Sequence, residues 1–193
     1  MSKGFTIIEL IISIFILSIA VVGIFNAFSV MVILTADTSD RLTATYLAQE
    51  GMEIVRNIRD ANWLKMDANP SSGYTWVDGL FVGATCSTAG CEADYRTNGT
   101  VAYPLVSYGS SGRYLYINTS GFYDYTNTGT LTKLKRKIKI EPVTDYIIKV
   151  TVEVSWNKKA TILNPCNPPN TCSANTCGAS NCITAQETLY NWY

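Results

Sequence analysis

Residues 10–36 carry no charged side chain, and Ile, Leu, Val and Phe dominate them. A run of that length is sufficient for a helix to span a bilayer. The chain then turns polar without losing helical periodicity, and no proline occurs before Pro70. Ala44, Leu47, Gly51, Ile54, Ile58 and Ala61 recur at alternating steps of three and four and fall on one face. Gln49, Glu50, Glu53, Arg56, Asn57 and Asp60 occupy the other faces. Glu53 and Arg56, and then Arg56 and Asp60, are spaced to pair along the helix surface. The pattern predicts one helix over 5–62, apolar over 5–36 and amphipathic over 37–62. At about 1.5 Å per residue its length is roughly 85–90 Å. Its second half should lay the apolar stripe on a globular head.

Further along, the period changes to two. Between Tyr146 and Trp156, Ile148, Val150, Val152 and Val154 alternate with Lys149, Thr151, Glu153 and Ser155, which reads as a strand with one buried face. Leu131–Glu141 alternates in part, through Leu134, Lys135, Arg136, Lys137, Ile138, Lys139 and Ile140. Pro142-Val143-Thr144-Asp145 is the turn expected between these two strands. Val101–Tyr108 and Arg113–Asn118 are rich in Val, Leu, Ile and Tyr and are joined by Gly109-Ser110-Ser111-Gly112, a hairpin signal. Pro104 demotes the first of them to an edge or a bulge. A last strand is expected over Ile183–Tyr193. Residues 63–100, rich in Gly, Ser, Ala and Asn, read as a connecting loop of the kind that carries binding surface. The fold class is therefore α+β: a long N-terminal helix on a small antiparallel β-sheet head, residues 63–193. No internal repeat is evident.

The apolar run has a carboxylate, Glu9, at its mouth. Such a group costs several kcal/mol in a membrane unless something pairs with it, so a plain anchor would gain nothing from carrying it. The residues before it are Lys3-Gly4-Phe5-Thr6-Ile7-Ile8. Lys3 through Glu9 closely resembles the processing site of the type IV pilin and type II secretion pseudopilin family. The resemblance implies that residues 1–4 are a leader cut after Gly4 by a prepilin peptidase, which also methylates the new amine of Phe5. It makes Glu9 the assembly glutamate, partnered by the Phe5 amine. The partners it implies are that peptidase/methyltransferase, other pilin subunits, an inner-membrane assembly platform and the lipid bilayer. Many pilins carry a helix-breaking proline about twenty residues into the mature helix; here Gly23 and Asn26 stand in that region. Gly costs a helix only about 1 kcal/mol relative to Ala, so it allows local melting or close helix packing without forcing either. An ordinary secretory signal cut after Ser18-Ile19-Ala20 would leave Val21 to Leu34 as an uncovered apolar terminus. Lys3 before the span, with Asp37, Asp40 and Arg41 after it, places the N-terminus in the cytoplasm and the head outside or in the periplasm.

The 193 residues carry 15 basic and 15 acidic side chains and no histidine. There is no basic stripe of the sort that binds nucleic acid. Without His there is no Ser–His or Cys–His nucleophile pair, and no phosphate-loop, dinucleotide or metalloprotease motif occurs. Glu92 with Asp94, or Asp124 with Asp145, could form carboxylate pairs, but scattered surface acids are the default explanation for them. Tyr103, Tyr108, Tyr114, Tyr116, Tyr123 and Tyr125 read as half-buried sheet residues before they read as an adhesive stacking surface.

All six cysteines lie beyond the predicted helix. An even count in an exported domain argues for disulfides. Cys86–Cys91 is a natural local pair. Cys166, Cys172, Cys177 and Cys182 crowd the polar insertion 164–182 and allow three connectivities. The nested one, Cys166–Cys182 with Cys172–Cys177, would staple a hairpin tip. Their spacings do not match paired zinc knuckles, and no His can assist, so neither metal nor cofactor is expected. The chain thus reads as a minor pilin or pseudopilin, processed in the cytoplasmic membrane as a single-pass precursor and assembled into a cell-surface or periplasmic filament. The rival is a membrane-anchored binding or adhesion protein that does not polymerise.

Overall fold

A computed structural model describes residues 4, 6–81, 85–110, 112–157 and 181–192. Helix α1 spans Ile7–Ala68, running past the expected end near Asn62. It stops where Pro70 disfavours helical backbone at the preceding residue, with Asn69 donating its N–H to the Lys65 carbonyl at 3.1 Å. The chain divides into two compact units, Met1–Asp40 and Arg41–Tyr193. In the first, α1 exposes its large apolar side chains. It is long and apolar enough to cross a membrane.

In the second unit α1 buries the predicted stripe, with Ala44, Leu47, Gly51, Ile54 and Ile58 turned inward and Ala48, Met52 and Val55 beside them. Ala61 is only half-buried, and Asn62 takes the inward place, donating its amide N–H to the carbonyls of Trp76 and Asp78. At Gly51 a Cβ would stand 2.9 Å from Val152 Cγ1 and 3.2 Å from Arg136 Cδ. The glycine is what lets helix and sheet approach so closely.

The head holds β1 (Cys91–Glu92), β2 (Val106–Ser107), β3 (Tyr116–Ile117), β4 (Tyr123–Asp124) and β5 (Thr130–Leu131), then β6 (Leu134–Thr144), β7 (Ile147–Trp156) and β8 (Cys182–Tyr190). A short helix α2, Thr85–Thr88, precedes β1. One five-stranded antiparallel sheet has the order β2-β1-β6-β7-β8, and a second, three-stranded, has the order β4-β3-β5. Ile148, Val150, Val152 and Val154 of β7 face the core as their alternation requires, although Ser155, expected outside, is buried as well. In β6 the inward set is Leu134, Arg136, Ile138 and Ile140, so the period of two continues through a charged residue.

Several expectations are corrected. Val101–Tyr108 and Arg113–Asn118 do not pair with each other: β2 joins β1 in the large sheet, and β3 joins β4 and β5 in the small one. Gly109-Ser110-Ser111-Gly112 therefore links two sheets instead of closing a hairpin. Pro142 lies within β6 at a register irregularity, and the turn is Asp145–Tyr146. The segment read as a connecting loop contributes α2 and the strand β1. On α1 the Glu53–Arg56 pair forms, but Arg56 turns to Glu187 of β8 rather than to Asp60, which pairs with Arg59 at 2.8 Å.

Arg136 is 0% exposed. Its Nη1 donates to the Leu47 carbonyl at 3.1 Å and lies 3.3 Å from Glu50, and its Nη2 donates to the Ala93 carbonyl. One buried cation thus ties α1, the residue after β1, and β6 together. Removing one partner of such a group is costly because the other is left unpaired in the core.

Candidate functional site

The candidate site is the start of α1. Gly4 is exposed, and a Cβ there would meet nothing within 4 Å, so nothing in the fold demands a glycine at that position. The helix opens with Leu10 donating its N–H to the Thr6 carbonyl at 3.3 Å. Glu9 lies in the first turn, where a negative charge faces the positive end of the helix dipole and the unsatisfied N–H groups. Its side chain is exposed and has no ion-pair partner among the described residues. Phe5 and Lys3 lie outside the described residues.

Beyond Glu9 the helix is built to meet an apolar environment. Ser13, Ser18, Ser29 and Thr35 each donate the hydroxyl hydrogen to the carbonyl four residues back, at 2.7–2.9 Å. That arrangement spends the hydroxyls inside the helix and leaves their donors satisfied whatever surrounds it. Gly23 continues the helix with open space about it.

In the head, the carboxylates singled out in the sequence are committed to structure. Glu92 is 1% exposed and accepts the Arg113 backbone N–H at 2.6 Å and Nε–H at 2.5 Å. Asp94 accepts the Arg96 backbone N–H at 3.0 Å and Nη2–H at 2.7 Å. Asp124 and Asp145 take separate roles. Asp124 accepts hydrogen bonds from Thr126 and Asn118, whereas it is the main-chain carbonyl of Asp145 that takes the Trp76 indole N–H. Burial pushes the Asp124 carboxyl up, but the Thr126 and Asn118 hydrogen bonds and the nearby Arg96 outweigh it and hold the group below its usual range. Tyr108 is buried, Tyr114, Tyr116, Tyr123 and Tyr125 are half-buried, and Tyr103 alone of the six is exposed. Burial raises the Tyr108 phenol to about 12. The arginines Arg96, Arg113 and Arg136, which pair with these acids or with backbone, were not singled out by sequence: the partners of Arg113 and Arg136 lie twenty-one residues or more away in the chain and leave no local spacing signal, and Arg96 beside Asp94 looks like any close pair of surface charges.

Cys86 and Cys91 form a disulfide. Cys182 is also disulfide-bonded, while the pairing proposed through Cys166, Cys172 and Cys177 lies outside the described residues.

With Gly4, Glu9 and the apolar helix in place, one comparison with known families bears on this end of the chain. Residues 1–25 match the model of the prokaryotic N-terminal methylation motif. This chain carries the N-terminal signal of type IV pilins and pseudopilins. Proteins with that motif are structural, pilin-type subunits, and the signal together with α1 fits a membrane-anchored precursor. No curated protein and no solved structure matches the chain.

Proposed function

We propose that this protein is a minor pilin or pseudopilin, a subunit of a type IV pilus-like or type II secretion filament. The observation that carries the reading is the methylation motif over residues 1–25, followed by a helix whose only carboxylate before Asp37 is Glu9. In this reading the leader 1–4 stays on the cytoplasmic side, the prepilin peptidase cuts between Gly4 and Phe5, and Phe5 is N-methylated. The open space at Gly4 supports a demand made by the peptidase rather than by the fold: a small residue admits the backbone to the enzyme. The assembly platform then draws the mature helix out of the bilayer into a bundle of like helices. There Glu9 pairs with the Phe5 amine of a neighbour or of the same chain. Desolvation makes the pairing selective, because either charge left alone in an apolar bundle is expensive. The head, with its disulfides, stays on the outer side.

Intact-mass analysis of the mature protein tests the processing step. The expected result is loss of residues 1–4 and gain of one methyl group on Phe5. Gly4→Leu should leave unprocessed precursor. A mature N-terminus at Val21 would overturn the reading.

A further inference from the structure

Where the two sheets of the head adjoin, a cavity of about 300 Å³ is lined by residues of the β1–β2 connection, by Arg113 and by Tyr125 and Thr126 after β4. Two guanidinium groups face it, and each is held on two sides. Arg113 donates its backbone N–H and its Nε–H to the Glu92 carboxylate and stacks on the Tyr125 ring at 4.7 Å. Arg96 is fixed by Asp94 and lies 5.5 Å from the Tyr95 ring centroid.

The lining acids and bases balance, two against two, but they are not equally presented. The Glu92 and Asp94 side chains are 1% and 10% exposed and spend their oxygens on the arginines, whereas the Arg113 and Arg96 side chains are 53% and 36% exposed. Among the described residues, neither Nη of Arg113 nor Nη1 of Arg96 donates a hydrogen bond. An incoming group therefore meets unspent, pre-oriented N–H donors rather than carboxylate oxygens. Ala102, Pro104 and Val106 supply an apolar wall and Tyr103 a phenol. A volume of a few hundred Å³ with an apolar wall and a few placed polar groups is the format of a small-ligand site.

We infer that this cavity is a binding site for a small carboxylate-bearing ligand, its carboxylate taken by Arg113 and Arg96 and its body lying against Pro104 and Val106. The planar fork of a guanidinium matches a carboxylate edge to edge, which a point charge does not. The buried acids hold the forks in place before the ligand arrives, so little side-chain entropy is left to lose on binding. The inference concerns the head alone and stands whether or not the chain polymerises.

The test uses the full chain in detergent micelles, with N-acetylglutamate as probe and its neutral counterpart N-acetylglutamine as control. Saturable shifts of the Arg96 and Arg113 side-chain N–H signals are expected with the first, at millimolar concentration, and none with the second. Val106→Trp narrows the cavity from its apolar wall and should weaken the response. Arg113→Lys, which keeps the charge and loses the fork, should weaken it about tenfold. An equal response to the neutral probe, undiminished binding in Val106→Trp, or tighter binding of inorganic phosphate would each overturn the assignment.

Discussion

Gly51 decides how close α1 can come to the sheet. With a Cβ only 2.9 Å from Val152 Cγ1, a branched side chain there would force the helix outward. Gly51→Val is expected to cost about 2 kcal/mol of stability by overpacking, measured by denaturant unfolding of the full chain in micelles. Two carboxylates contribute to acid sensitivity. Asp124 is held low by its hydrogen bonds against the opposing effect of burial, and Glu141 is held low by hydrogen bonds from Lys139 and Lys149. Both titrate lower when folded than unfolded, so their contribution is complete above about pH 5 and is lost as pH falls through the folded values. Thermal unfolding should therefore show a falling Tm below about pH 5, and Asp124→Asn should flatten part of that decline.

At the scale of elements, the legible parts were those with long, regular periods. The stripe from Ala44 to Ile58 and the alternation in β7 each repeat often enough to specify a buried face, and both lie in the core. The two-residue strands β1 to β5 were not legible as they stand, since two residues carry no period and their pairing is set by tertiary contacts. Turn residues around Gly109 and Gly112 marked a change of direction but not which strands it would join, because both segments found partners elsewhere. Pro142 was read as a turn because it cannot donate to a ladder; the register irregularity accommodates it inside β6. The Cys86–Cys91 bridge was readable from its spacing alone. It lies in the core, with both residues fully buried, and replacing both by Ser should lower stability by about 2 kcal/mol, the loop-closure value for so short a ring. Chemical denaturation of the two proteins side by side measures it.

For the whole molecule, the N-terminal motif and the head call for different partners. Glu9 and the apolar face of residues 7–36 have no protein partner among the described residues, while the head from Arg41 onward closes its own core. In the proposed function, lipid covers that face before assembly and neighbouring subunits cover it afterwards. The motif that contains Gly4 and Glu9 was legible in the sequence because it is a run of residue types at fixed spacing, although the fold demands neither a glycine at 4 nor an ion-pair partner for Glu9 among the described residues. The most direct test is incorporation of Glu9→Gln into filaments, with wild type compared by quantitative blotting of sheared filaments and of membranes. The account predicts that Glu9→Gln inserts into the membrane at least as well as wild type, keeps a folded head, and falls about tenfold or more in filaments, because the Phe5 amine has lost its partner. Glu9→Val should behave alike. Entry of either variant into filaments at the wild-type level would contradict it.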